Sequence, residues 1–324
     1  MLRKFMIFLL VVVSALGALW IFGPREPADT TISFDAASLG DDPDAYVQKH
    51  ESGVANLNPD TAKEIVWAFP QSKAKTPYSI VYVHGFSATK GELRPLPDRI
   101  AAELGANLFY TRLTGHGRDG PAMAKASVND WINDIAEALA IGRAIGDKVI
   151  VIGTSTGATL MTWAATQPAL MENVAGLIQF SPNFGTQAAG SFLLTGPFAR
   201  TIVPLVGGAE RKWEPVNELH AKYWTHHYPT VAVIPMGALV KLANDAPVER
   251  AAVPSLFIFH EGDKVVRPDL TRKIAARWGG PAEIFVQETT DDPYLHVIAG
   301  DALSPSSTSA LVEKAVAWIN ALPK

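Results

Sequence analysis

Apolar positions along this chain keep two rhythms, and the rhythms alternate. Short β-branched or aromatic runs at residues 78–83, 107–113, 149–152 and 175–181 predict buried strands. Between them, residues 95–104 place Leu96, Ile100 and Leu104 at helical spacing. Residues 128–145 do the same with Trp131, Ile135, Leu139 and Ile145, with Asn129 as the expected cap. Small residues at 158–165 predict a third helix. Strand alternating with helix implies right-handed crossovers and a mostly parallel sheet with helices on both faces. The rhythm resumes late in the chain, with strands at 254–259 and 282–287 and helices at 271–278 and 309–322. Residues 64–69 alternate as an edge strand.

Three stretches break the pattern. Residues 184–250 are rich in Gly, Pro and aromatic side chains, among them Trp213, Tyr223, Trp224 and Tyr228. They hold a helix-like run at 231–242 and no alternating strand, so a small helical cap inserted after the strand ending near Ser181 is expected. Residues 34–59 are polar and Asp-rich, which predicts an irregular arm with one short helix near 44–50. At the N-terminus, Arg3 and Lys4 precede an apolar run from Phe5 to Phe22, long enough for one helical crossing of a bilayer. The run continues past the small residues Ala15 and Gly17, which favours an uncleaved anchor over a cleaved signal peptide. Basic residues ahead of it place the rest of the chain outside the cytoplasm, on the periplasmic side of a bacterium, or secreted if the run is cleaved. The expected divisions are an anchor at 1–24, a linker and arm at 25–62, and one catalytic domain at 63–324 with its cap at 184–250.

Composition narrows the chemistry. With 48% hydrophobic and 19% charged residues, 324 residues suit one medium domain with an insertion. The net charge of -4 and the lack of a basic stripe argue against a nucleic-acid partner. The chain has no cysteine, which removes thiolate nucleophiles, disulfides and thiolate metal sites. No metal set is visible, since His226 and His227 are adjacent and diverge in most conformations, and no phosphate loop or cofactor motif occurs.

The most informative stretch is Gly153-Thr154-Ser155-Thr156-Gly157, entered by a β-branched run and left by a helix pattern. A sharp strand-to-helix turn presents the Ser155 hydroxyl, and a side chain at either glycine would crowd its neighbours. A serine nucleophile needs a base. His296 follows the last strand and precedes the last helix, so its loop lies at the carboxyl edge, whereas His84, His116 and His260 are expected as structural hydrogen-bonders. Asp263, ending the strand after the insertion, is the expected acid; Glu261, Asp291, Asp292 and Asp301 are weaker choices. The oxyanion donors are expected at the amides of Phe86 and Thr156. The Phe86 side chain and Ser181 are expected beside the substrate.

These residues resemble the α/β-hydrolases, and more narrowly the bacterial carboxylesterase and monoacylglycerol-lipase branch. The likeness is carried by His84-Gly85-Phe86-Ser87, Thr114-Gly115-His116-Gly117, Asn129-Asp130-Trp131, Gly153 to Gly157, Asp263-Lys264-Val265-Val266 and His296-Val297-Ile298. It spans about residues 65–322. It departs at Thr154 and Thr156, where His or Leu commonly flank the serine. The resemblance implies a serine esterase for short- to medium-chain acyl esters or monoacylglycerols, without a cofactor. A peptidase of the same fold is the first alternative, with Glu210, Glu214 and Glu218 as an acidic patch for an amino terminus. A non-catalytic, membrane-anchored binding protein is the second. The oligomeric state is not legible.

Overall fold

The β-branched runs form strands and the amphipathic runs form helices in a computed structural model, which describes residues 1–323 apart from the side chain of Leu16. In chain order the strands are β1 (Glu64–Val66), β2 (Thr76–Val83), β3 (Asn107–Tyr110), β4 (Gly146–Thr154), β5 (Val174–Phe180), β6 (Glu210–Lys212), β7 (His227–Pro229), β8 (Ser255–Phe259) and β9 (Ala282–Val286). The helices of the first half are α1 (Leu2–Phe22), α2 (Pro43–Ser52), α3 (Leu96–Leu104), α4 (Gly120–Met123), α5 (Val128–Ile145) and α6 (Thr156–Ala164). Those of the second half are α7 (Ala199–Gly207), α8 (Glu218–Tyr223), α9 (Val233–Asp245), α10 (Pro268–Arg277) and α11 (Pro305–Asn320).

A 7-stranded sheet in the order β1-β3-β2-β4-β5-β8-β9 forms the centre. All its neighbours pair in parallel except β1, which runs antiparallel to β3. Side chains alternate across this sheet. Val81, Val83, Phe109, Val149, Val151 and Phe257 enter one core, with Trp131, Ile135 and Leu139 of α5 and Leu160 of α6. Ile80, Tyr82, Leu108, Ile150, Ile152 and Ile258 enter the other, with Ile100 of α3 and Leu311 and Ile319 of α11. Covering both faces explains why the central strands read as continuous apolar runs.

Local chemistry departs from the expectations in three places. The cap of α5 is Ser127, in a reciprocal pair with Asp130, not Asn129. The Asn129 side chain instead donates to the Thr31 carbonyl and ties down the linker. The arm carries its expected short helix, α2, but is no loose tail: Tyr46 and Val47 are buried, and Glu51 accepts two bonds from the Arg112 guanidinium at 2.9 and 2.7 Å. Burial pushes the Glu51 carboxyl up, but the Arg112 bonds and charge outweigh it and leave it lowered. Removing one partner of such a buried pair costs roughly 3 to 5 kcal/mol. The segment between β5 and β8 also holds a strand pair, since β6 and β7 form a short antiparallel hairpin. Three-residue strands are too short to show alternation in a sequence.

That segment covers the carboxyl edge of the sheet. Thr225 N–H donates to the Ser87 carbonyl, and the Thr89 hydroxyl donates to the Tyr223 carbonyl. Tyr228 meets Phe86 edge-on, at 5.6 Å between ring centres. Outside all this stands α1, 21 residues long and apolar, with none of its length buried.

Candidate active site

β4 stops at Thr154 and α6 starts at Thr156, so Ser155 alone makes the turn, at φ 50° and ψ -113°. Positive φ costs a side-chain-bearing residue of order 1–3 kcal/mol, and the surroundings hold it there. Ser155 N–H donates to the Phe180 carbonyl at 2.9 Å. A Cβ at Gly157 would lie 2.2 Å from the Val83 carbonyl oxygen, and one at Gly153 would lie 2.1 Å from the Met161 sulfur. Those contacts are the crowding anticipated from the sequence. Ser155 lies at the N-terminus of α6, and Thr156 opens its first turn, whose N–H groups have no partners within the helix.

The loop after β9 brings His296 to the loop after β8, where Asp263 lies. His296 Nδ1 and Asp263 Oδ2 are 2.8 Å apart, and the Asp263 side chain is fully buried. The other oxygen of Asp263 accepts the N–H groups of Val265 and Val266, so the carboxylate cannot swing away. Burial pulls the His296 imidazole down, but the charge and hydrogen bond of Asp263 outweigh it, aided by Glu92 and Asp292. The net shift is upward from the ordinary 6.5. Because Nδ1 faces the carboxylate, it carries the proton, and Nε2 is left as the basic nitrogen.

Asp292 and Ser181 fix the histidine loop from behind. Asp292 Oδ2 accepts the N–H groups of His296 and Val297, both at 2.9 Å, and Oδ1 accepts that of Tyr294. Asp292 thus orders the backbone of the turn while Asp263 holds the ring. Ser181 differs from its expected place beside the substrate: it is fully buried, and its hydroxyl donates to the His296 carbonyl at 2.6 Å. Glu261 is exposed and pairs with Arg272. Asp291 bonds Ser306.

The loop after β2 forms the remaining wall. His84 Nε2 accepts Leu113 N–H, and its Nδ1 therefore donates to the Gly85 carbonyl, which fixes the start of the Phe86 loop. His84 and His260 are structural in their bonding, as expected. Glu92 is the residue that sequence reasoning missed. Its Oε2 accepts Gly85 N–H at 2.7 Å and the Tyr82 hydroxyl at 2.8 Å, and it is 2% exposed. A Cβ at Gly85 would meet Glu92 Oε1 at 2.6 Å and the Ser155 Cβ at 3.2 Å, so Gly85 lies between the two residues. Burial pushes the Glu92 carboxyl up to about 7, against the two donors and the His296 charge. No pattern of spacing marks Glu92; its burial follows from the return of α8 and the cap over its loop.

A cavity of about 500 Å³ runs from Phe86 under the cap, lined by Leu194, Val203, Met236, Val265 and Tyr294. No Asp or Glu is among the described residues that line it. A larger cavity of about 750 Å³ lies between the arm and the cap, by Asn58, Arg118 and Trp224. Ser155, Asp263 and His296 line neither cavity. The smaller one is the substrate candidate because it reaches Phe86. Glu210 is exposed and bonds His227, Glu214 is exposed, and neither faces the smaller cavity.

A serine elbow, an acid–imidazole pair and a glycine-bearing loop at one edge of a parallel sheet define the class of α/β-hydrolases. The family model described as the alpha/beta hydrolase family matches residues 80–300, and the chain belongs to that family. Among its relatives, a thermostable monoacylglycerol lipase of Bacillus sp. (strain H-257) is 24% identical over 192 residues, 59% of this chain and 73% of that protein. A structure described with LipS and LipT, two metagenome-derived lipolytic enzymes, matches with a TM-score of 0.66 at 21% identity, over 82% of this chain and 99% of the other. A soluble variant of monoglyceride lipase from Saccharomyces cerevisiae, bound to a substrate analogue, matches with a TM-score of 0.58 at 12% identity, over 80% and 91%. The last two are likenesses of fold.

Proposed function

We propose that the protein is a membrane-anchored serine hydrolase of carboxylic esters, with monoacylglycerols or other short- to medium-chain acyl esters as substrates. The observation that carries this reading is the 2.8 Å bond between His296 and Asp263, on the edge where the elbow presents Ser155. In this mechanism His296 Nε2 removes the Ser155 hydroxyl proton as the oxygen attacks the ester carbonyl. The Phe86 and Thr156 amides hold the resulting oxyanion. His296 then returns the proton to the departing alkoxide, leaving an acyl group on Ser155. Water, deprotonated by the same imidazole, releases the acid and restores the serine.

Two further observations favour an ester. The cavity reaching Phe86 is mainly apolar and holds no carboxylate to fix a free amino terminus, which counts against the aminopeptidase alternative. The matched relatives named above are lipases or lipolytic enzymes. For the anchor, α1 is 21 residues long and carries Arg3 and Lys4 ahead of its apolar run from Phe5 to Phe22, which favours a catalytic domain outside the cytoplasm.

The test is turnover of p-nitrophenyl esters of rising acyl length by the full chain in detergent, beside Ser155→Ala. Loss of turnover in the variant, with a rate optimum at one acyl length in the parent, is the expected result. Full turnover by Ser155→Ala refutes the mechanism. A folded parent that neither turns over esters nor is labelled by a fluorophosphonate is a binding protein instead.

A further inference from the structure

The end of α1 is seated on the cap. Gly23 lies so close to the start of α7 that an added Cβ would fall 2.7 Å from both Pro197 and the Phe198 ring. Phe198 N–H donates to the Pro24 carbonyl at 2.7 Å. The Arg25 guanidinium donates to the carbonyls of Thr195 and Trp20. Arg200 on α7 grips Glu26 with two bonds, at 2.7 and 2.6 Å, and the Glu26 side chain is only 4% exposed. The Trp20 ring packs over Gly196. The end of α1 is therefore held against the cap, and residues 24–26 are bonded to it.

The same part of the cap carries large apolar side chains that no other part of the protein covers. Phe192 is 64% exposed, Leu205 80% and Val206 72%. Leu205 follows Phe198 along α7 by about 10 Å, at 1.5 Å per residue. Membrane-surface helices bury their apolar faces by about 5–10 Å. Val206 also lines the cavity that reaches Phe86, beside Leu193, Leu194 and Val203. Trp20 lies in the last turn of α1, a position that suits an interfacial aromatic.

From this continuity we infer that the cap surface bearing Phe192, Leu205 and Val206 is embedded in the same lipid bilayer as α1, so that the cavity opens to the membrane and draws its amphiphilic esters from it. The inference rests on the anchor reading given above and adds the orientation of the catalytic domain. The occupant of the apolar surface is lipid, because the end of α1 is seated on the same part of the cap and the latch of Glu26 and Arg200 holds the two together.

The chain has no cysteine, so one introduced thiol reports one place. Three full-length variants, Phe8→Cys in α1, Leu205→Cys on the cap and Glu103→Cys at the end of α3, carry an environment-sensitive dye in phosphatidylcholine vesicles. Spin-labelled lipid then quenches any dye that touches lipid. Quenching at 8 and 205 but not at 103 is the expected result. Quenching at 8 alone overturns the inference and leaves the anchor standing. No quenching at 8 or 205 refutes both. A dye at 205 that is blue-shifted but unquenched identifies a second copy of the chain as the occupant and overturns the inference. As a functional check, Phe192→Asp with Leu205→Asp slows hydrolysis of a vesicle-embedded monoacylglycerol about tenfold or more, while the rate on a soluble ester is kept. Equal effects on both substrates count against the inference.

Discussion

Replacing Glu92 with glutamine separates the charge of this carboxyl from its shape. In the folded protein the group titrates near 7, against an ordinary 4.5, because burial disfavours the anion more than the donors Gly85 and Tyr82 and the His296 charge favour it. Between those values the unfolded chain gives up the proton while the folded chain keeps it. The stability the group contributes is therefore fullest below about 4.5 and is lost as pH rises through about 7. A difference of about 2.5 units, at 1.36 kcal/mol each, amounts to about 3 kcal/mol. Glutamine has the same shape, can accept from Gly85 and Tyr82 through its amide oxygen, and does not titrate. Glu92→Gln should match the parent at pH 4.5 and exceed it by up to about 3 kcal/mol at pH 8. Urea unfolding in detergent at several pH values measures this. A stability difference that stays constant with pH refutes the reasoning, as does a variant that falls behind at pH 8. The same substitution removes a negative charge that supports the His296 imidazolium, so the acid limb of kcat/KM moves to lower pH.

Asp263→Asn and Asp292→Asn separate the two carboxylates around His296. The first removes the partner of Nδ1, so kcat falls by about 10⁴ and the acid limb moves to lower pH, with little loss of stability. The second keeps an oxygen for the His296 and Val297 N–H groups but sets its NH2 against the Tyr294 N–H, and costs roughly 1 to 3 kcal/mol in urea unfolding, with a smaller effect on kcat. Equal losses of kcat with no change in stability reverse the assignment. Gly157→Ala drives a methyl into the Val83 carbonyl 2.2 Å away, so it is expected to lose about 3 kcal/mol or more and at least about 100-fold in ester turnover. An unaltered variant shows that the elbow is not held where the glycine contacts place it.

Several elements were legible because their cause is local. Trp131, Ile135 and Leu139 repeat at helical spacing, and α5 buries them all. The 149–152 run and the glycines around Ser155 predict a strand, turn and helix, because sterics at a sharp turn act between near neighbours. The order of His296 and Asp263 along the strand ends marks them as a pair, and the sheet order brings them together. At the start of α5, Ser127 and Asn129 are both good caps, and the reciprocal bond to Asp130 decides between them.

The sheet, the helices that cover it, the serine turn and the apolar N-terminal helix follow from periodicity and from forces within a few residues, which the order of residues alone specifies. Folding in three dimensions settles which carboxylate faces the histidine ring and which holds its backbone. It also turned Ser181 inward, closed Glu92 off from water, joined the arm to Arg112 and set the end of α1 on the cap. Each of these depends on residues far apart in the chain meeting at one point, and on how much water remains there. Desolvation and long-range contact leave no spacing in a sequence, and they set the electrostatics of this site.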